Sequence, residues 1–313
     1  MSELAALDAV RLNFSPSSLA ALNVVLAVIM YGVALDLTAA DFRRVARMPR
    51  AFAVGLLAQF VLLPAMTFVL VVALSPPPSV ALGMMLVAAC PGGTISNFLT
   101  SYARANTALS VSMSAVSSLG AIVMTPLNVA LWSSLYEPTA SLLTEVALDP
   151  VDVVGVVLLV LALPMLGGLL TRRYVPALAA RMFGPFRLAS IVFFAGFVAF
   201  ALHANWTHFV AHVADIAALV VAHNALAFAT GYALAALARL PEYDRRAVTM
   251  ELGIQNSGLG LVLIFDFFAG LGGMAVIAAL WGIWHIIAGS TLAQIWRGDA
   301  TTLPKGAANQ SGP

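Results

Sequence analysis

A chain of 313 residues that is 61% apolar and 9% charged, with a formal net charge of +1, lies far from soluble domains, which run roughly 45–50% apolar and about 25% charged. One cysteine, Cys90, rules out an internal disulfide, and one lysine, Lys305 near the end, rules out chemistry on a buried lysine. Gly-rich phosphate loops and nucleic-acid patches are absent, and the short alternating segments of a β-barrel are missing.

Apolar stretches recur at about the 20 residues a helix needs to cross a bilayer. They predict an all-α integral membrane protein with about nine transmembrane helices. The start, MSELAALDAVRLNFSPSS, lacks the basic and apolar blocks of a cleavable signal, so residues 1–18 read as an external N-terminal segment. The predicted spans lie near 19–37, 51–73, 79–104, 107–134, 151–171, 188–204, 210–239, 243–268 and 272–296. A tail of composition typical of disorder follows over 298–313. With nine crossings, the loops holding Arg43 to Arg50, Arg104, Arg172 to Arg187, Arg239 to Arg246 and Arg297 to Lys305 fall on one side, leaving only Arg11 on the other. The positive-inside rule makes that side cytoplasmic. The expected location is thus the cell (inner or plasma) membrane, multi-pass, with the N-terminus outside and the C-terminus inside. The stretch YEPTASLLTEVALDPVD after the fourth span reads as an acidic outer loop.

Two spans contain breaks. In the third, CPGGTISN places Pro91, Gly92 and Gly93 where a helix should run straight, then offers oxygens on Thr94, Ser96 and Asn97. Proline removes a backbone donor and glycine weakens what remains. Broken backbone in hydrocarbon is tolerated only where it is buried in protein or lines a polar cavity. A proline kink met by neighbouring helices is the bland reading of this span alone. The eighth span, RRAVTMELGIQNSGLGLVLIFDFF, changes the balance. Its middle holds Glu251, Gln255, Asn256 and Ser257 among glycines, and a carboxylate near the bilayer centre costs at least about 2.5–3.5 kcal/mol unless paired, hydrated or ion-bound. The two interrupted spans run in opposite directions at matching places in two halves, the sequence pattern of a transporter site built from inverted repeats.

The donors there are all oxygens: Ser, Thr, Asn, Gln, Glu and freed carbonyls. Such sets suit hard cations, and one carboxylate among neutral oxygens suits a monovalent ion better than calcium. Half-helix ends add a negative pole for a cation and a positive one for an anion. Na⁺ coupled to an organic anion is the reading these residues favour. Gln59 interrupts the second span, Ser110 and Ser114 share one face of the fourth, and His285 and Ser290 lie in the ninth. Taken singly, each serine reads more readily as close helix packing.

At these residues the chain resembles the bile acid:sodium symporter family. CPGGTISN, ALSVSMSAVSS and ELGIQNSGLG are similar to that family's signature stretches, within a likeness from about residue 20 to about 297. The resemblance implies a core domain (near 51–134 and 210–296) with two crossing broken helices, and a panel domain (near 19–37 and 151–204) that moves against it. It implies one sodium site from Ser96, Asn97, Ser110, Ser114 and Glu251. A second would use Gln59, Glu251, Gln255 and the carbonyls of Leu252 and Ile254. Thr94, Asn256, His285 and Ser290 fall where contacts to a small organic anion are expected. Ile286 departs from the polar residue expected beside the histidine, which bears on substrate identity. The implied function is sodium-coupled symport of a bile acid-like or other carboxylate by alternating access.

Other readings are a cation/proton antiporter with Glu251 carrying the proton, and an anion-efflux carrier of the same fold. A channel is disfavoured by inverted breaks. An intramembrane enzyme is disfavoured because the spans hold no Ser–His pair at suggestive spacing and no cluster of ligating histidines. His208, His212 and Asp215 have metal-like spacing but read as polar residues at the outer start of the seventh span. His223 and Asn224 read as a hydrogen-bonded pair between helices. Cys90 reads as packing. Asn13-Phe-Ser and Asn205-Trp-Thr match the glycosylation pattern, a tripeptide frequent by chance.

Overall fold

The computed structural model describes residues 27–35, 46–146, 162–204 and 206–299, with Asp8, Val24, Thr38 and Arg43 as isolated positions. Among them the regular elements are helices: a short stretch at 27–35, then α1 (Pro49–Leu74), α2 (Pro78–Ala89), α3 (Thr94–Tyr102), α4 (Thr107–Ser134) and α5 (Glu137–Val146). They continue with α6 (Leu163–Tyr174), α7 (Pro176–Ala204), α8 (Trp206–Leu237), α9 (Glu242–Gly253), α10 (Ser257–Phe267) and α11 (Gly272–Gly298).

The sequence sets these boundaries locally. Proline opens α1 and α2, where a missing N–H costs nothing and its φ suits the first turn. Asn106 caps α4 by accepting the Leu109 N–H at 3.0 Å. Within α1 the helix widens to a π-turn over Ala58–Leu62, the Leu63 N–H reaching back to the Ala58 carbonyl. Pro64 explains it: a proline inside a helix clashes with the carbonyl four residues earlier, and a wider turn relieves the clash. That π-turn carries Gln59, buried at its inner face.

Four helices or helix segments are long and apolar enough to cross a membrane: Pro49–Leu74, Thr107–Ser134, Ile216–Leu237 and Gly272–Gly298. Two more apolar helices, α2 and α10, have 12 and 11 residues. At 1.5 Å per residue each covers only about 16–18 Å, short of a hydrocarbon core of about 30 Å. Each is continued across a break by a partner, α3 for α2 and α9 for α10. A helix, a broken helix and a long helix thus recur as α1, α2–α3, α4 and as α8, α9–α10, α11.

The short apolar helices form the centre. Every residue of α2 from Ser79 to Ala89 is buried, as is most of α10. The long helices surround them, α11 against α2 and α10, α8 along α9, and α4 against α2 and α3. Outward faces stay apolar, with Val69, Val72, Leu127, Leu131, Leu237 and Ile287 exposed. A bilayer supplies the solvent such faces need.

Two expected loops are helical. The acidic stretch after the fourth span contains α5, and the basic connection after the fifth contains the start of α7. Hydropathy marks only the apolar part of a helix, and charged residues do not oppose helix formation at its ends. Arg172 and Arg173 sit in the last turn of α6, where cations meet the negative pole, and Pro176 opens α7 one residue later. The remainder of the predicted first and fifth spans, most of the N-terminal segment, Asn13, Asn205 and residues 300–313 lie outside the described residues, as do the side chains of His208, His212 and Asp215.

Candidate functional site

The two breaks meet. Gly92 and Gln255 form an isolated antiparallel bridge. The Gly93 N–H donates to the Ile254 carbonyl at 2.7 Å, and the Asn256 N–H donates to the Pro91 carbonyl at 2.8 Å. The antiparallel sense means the two broken helices cross in opposite directions. Each break therefore supplies the partner that the other lost, in a setting where an unmet backbone group costs several kcal/mol.

Side chains from the long helices meet the remaining carbonyls. Thr125 of α4 donates to the Ala89 carbonyl at 2.7 Å, and Gln59 of α1 to the Cys90 carbonyl at 2.8 Å. Asn224 of α8 donates to the Gly253 carbonyl at 2.8 Å, and the Gln255 side chain to the Leu252 carbonyl at 2.7 Å. At the start of α10, the Asn256 side chain accepts the Leu259 N–H at 3.1 Å. The start of α3 has no side-chain cap, since its N-cap is Gly93.

Glu251, on the last turn of α9, is fully buried. Its Oε2 accepts from Ser96 at 2.7 Å and its Oε1 from Ser114 at 2.7 Å. Ser110 Oγ lies 3.3 Å from Oε2 and 2.8 Å from Asn97 Oδ1. Ser114 Oγ also stands 3.0 Å from Oε2 and 3.1 Å from Asn97 Oδ1. Each serine has a single proton to donate. Ser114 nevertheless faces three acceptor oxygens and Ser110 two. The cluster holds more close oxygen pairs than its hydroxyl protons can bridge, and each hydroxyl keeps lone pairs turned to its neighbours. None of the ion pairs among the described residues involves Glu251. A buried carboxylate without a counter-charge, ringed by hydroxyl and amide oxygens, is a cradle for a hard monovalent cation.

Gly92 has a role the sequence did not declare. Its backbone is not in the left-handed region, so conformational freedom is not what the position requires. A β-carbon there would lie 2.5 Å from Glu251 Cδ and 3.0 Å from its Cγ, and would collide with Oε1. The glycine leaves the space in which the carboxylate sits.

A second group lies beside the first. Gln59 and Gln255 pair amide to amide, Gln59 Nε2 to Gln255 Oε1 at 3.1 Å and Gln255 Nε2 to Gln59 Oε1 at 3.3 Å. Leu252 joins them through the bond to its carbonyl, while the Ile254 carbonyl is engaged at the crossing. Each carbonyl retains a second lone pair. Both Glu251 oxygens bond on the serine side, and no hydrogen bond joins them to the glutamine pair. Of the four residues expected at the substrate, Thr94 and Ser290 are exposed, Asn256 is half-buried and His285 is buried with its Nδ1 unpartnered. No hydrogen bond connects these four to one another.

Some supporting residues escaped the sequence reading. Thr125 and Thr100 are ordinary-looking helix residues, and Thr100 bonds Ser110 at 3.3 Å. His223 and Asn224 do bond across helices, but to different partners: His223 Nε2 meets Thr67 Oγ1 at 2.8 Å, and Asn224 holds the α9 end. A polar residue in the middle of an apolar span was the available signal, and it carried no information about which broken end it would meet.

Two crossed, broken helices held among long apolar ones define a multi-pass membrane transporter. The chain belongs to the sodium bile acid symporter family, which residues 23–212 match. It is 31% identical over 275 residues to the Bacillus subtilis protein named uncharacterized sodium-dependent transporter YocS, covering 88% of this chain and 82% of that one. It is 31% identical over 278 residues to the Arabidopsis thaliana probable sodium/metabolite cotransporter BASS1, chloroplastic, covering 88% and 66%. It is 28% identical over 247 residues to the human ileal sodium/bile acid cotransporter, covering 76% and 67%. The chain is accordingly a sodium-dependent transporter by family, and not an enzyme.

Proposed function

We propose that this protein is a symporter that carries a small organic anion, a bile acid-like or other carboxylate, into the cell with two Na⁺. The observation that carries the reading is Glu251: a fully buried carboxylate with no cationic partner among the described ion pairs, met by Ser96, Ser110 and Ser114 with Asn97 beside it, where two broken helices cross. One Na⁺ sits among these five residues. The other sits by Gln59, Gln255 and the carbonyls of Leu252 and Ile254, sharing Glu251 when its carboxylate turns. The hydroxyls donate to the carboxylate while their lone pairs face the ion.

The anion binds at the crossing, beside the sodium ligands. The uncapped start of α3 presents free N–H groups beside Thr94, at the positive pole of a half-helix. The Asn256 amide, whose oxygen is committed to Leu259, has N–H groups left to donate, and the exposed Ser290 and the buried His285 are the remaining contacts. Loading both ions beside the half-helix ends screens the carboxylate from the incoming anion, which couples the two bindings. The core helices α1 to α4 and α8 to α11 turn against a panel formed by the remaining spans. The membrane is the cell membrane, with the N-terminus outside and the C-terminus cytoplasmic.

Proteoliposomes loaded for uptake test this with a panel of labelled carboxylates, a bile acid included. Uptake of at least one should require external Na⁺ and fall to background in K⁺. Equal uptake in K⁺ of an anion that the protein carries overturns the reading.

A further inference from the structure

The last turns of α11 hold both half-helices that carry the cation ligands. Gly289 brings α11 against them: a β-carbon there would lie 2.5 Å from Ile254 Cδ1 and 2.9 Å from Leu99 Cδ1, so any larger residue must displace these two side-chain ends where α3 and α9 meet. Below it, Leu99 and Ala103 of the α3 segment, Met250 and Ile254 of the α9 segment and Ala293 of α11 form one small core, with Trp296 packed on it. Polar and cationic contacts then close the end. On the α3 side, Tyr102 Oη donates to Gln294 Oε1, and the Arg297 guanidinium lies 4.4 Å over the Tyr102 ring. On the α9 side, Arg246 is 2% exposed and extends its whole fork: Nε to Glu242 at 3.0 Å, Nη1 to the Trp296 carbonyl at 3.1 Å, and Nη2 to Asp299 at 3.0 Å. Its guanidinium also stacks 5.5 Å over Trp296.

The placement is symmetric. Tyr102 lies five residues beyond Asn97 on α3, and Arg246 lies five residues before Glu251 on α9. Each anchor is therefore about 7.5 Å along its helix from the cation ligand it controls. Ser96 and Asn97 on one half-helix must meet Glu251 on the other. A site of this kind needs its ligands held to about 0.5 Å. The crossing fixes the two helices at one end through the bridge at Gly92 and Gln255. A single pivot leaves the angle between them free, and ties at the other end set it: Asn106, just beyond α3, meets the Tyr243 carbonyl at 3.1 Å and Asp244 at 2.7 Å at the start of α9, and α11 holds both half-helices.

We propose that Arg246, with Asp299 and Tyr102, forms a clamp on α11 that sets the angle between the two half-helices and so the affinity of the transporter for Na⁺; this rests on the sodium reading above. Arg246 and Tyr102 are positioning residues, acting through Glu251, Ser96 and Asn97. A merely structural staple would lower stability equally in all salts. A positioning clamp moves the sodium midpoint selectively.

The test is a sodium titration of the purified full-length protein, read as thermal midpoint against NaCl with KCl holding ionic strength. Asp299 has a half-exposed side chain, so Asp299→Asn removes the charge with little risk to folding, and Tyr102→Phe cuts the other arm. Each should raise the sodium concentration for half-maximal stabilisation by about 2–30-fold, the range for residues coupled to a site they do not touch. The midpoint in KCl alone should stay with the parent, and Asp299→Glu should restore parent-like sodium affinity. Sodium curves unchanged in both variants overturn the clamp while leaving the sodium site intact. An equal loss of stability in KCl and NaCl also overturns it, marking a fold staple. A parent that NaCl does not stabilise over KCl overturns the sodium reading and the clamp with it.

Discussion

Replacing Gly92 by alanine perturbs the Glu251 carboxylate without substituting any sodium ligand. The added carbon would lie 2.5 Å from Glu251 Cδ, where ordinary contact begins near 3.4 Å. The carboxyl group must therefore shift by about 0.9 Å. It cannot shift without disturbing the contacts it makes, being fully buried with Ser96 and Ser114 each at 2.7 Å. Hydrogen bonds to a charged group are worth about 1.5–3 kcal/mol each, and about 1.4 kcal/mol is tenfold in affinity. Losing the alignment of one should weaken Na⁺ binding at least about tenfold. Alanine suits the backbone at this position, so the crossing bonds of Pro91 and Gly93 should survive. Gly260→Ala is the matched control, since its β-carbon would meet Cys90 Sγ at 3.6 Å, an ordinary contact. Calorimetric Na⁺ titration of both variants in detergent is the assay. If Gly92→Ala remained folded and bound Na⁺ within twofold of the parent, the argument that this glycine makes room for the carboxylate would be wrong.

Glu251→Gln keeps the shape but removes the charge and turns one of the two acceptor oxygens into an N–H donor, and sodium-dependent uptake should fall to background while the protein still purifies as a folded species. Gln59→Ala removes one half of the glutamine pair and the donor to the Cys90 carbonyl; the sodium dependence of uptake should lose its cooperativity, with a Hill coefficient near one, while Na⁺ stabilisation persists. Asn224→Leu leaves the buried Gly253 carbonyl unpaired, which should destabilise the fold by about 1–3 kcal/mol, seen as a lower thermal midpoint in NaCl and KCl alike. With two Na⁺ per monovalent anion, an inside-negative potential should drive uptake by about 2.3 kcal/mol per 100 mV, and uptake indifferent to a valinomycin-imposed potential would mean one Na⁺ per cycle.

The breaks were legible because proline and paired glycine are rare in a spanning helix, and Glu251 because a carboxylate there is costly. By spacing alone Ser110 and Ser114 were legible as one face of α4, with a place beside Glu251 implied through the family resemblance, and the structure turns that face onto Glu251. What the breaks are met by was not legible. Thr125, Asn224 and the reciprocal bridge depend on which helices lie side by side, and nothing local encodes that. The π-turn at Gln59 follows from Pro64 only once the helix is known to continue through it. Charged residues misled at α5 and α7, because hydropathy reports where lipid ends and not where the helix does.

The bridge at the crossing also has a consequence for biogenesis. Its two sides lie about 160 residues apart in the chain. At roughly 5–20 residues per second of synthesis, the first break waits about 10–30 s for the second. Through that interval the Pro91 carbonyl and the Gly93 N–H have no partner, and the serines of α4 have no carboxylate to meet. The leading half cannot reach its final form in lipid by itself. It must be held at the insertion machinery, or in a hydrated, unclosed arrangement, until residues 251–257 arrive. Truncation between Leu237 and Glu251 should leave a nascent chain recognised as unfinished, even though all of α1 to α8 would already have been made.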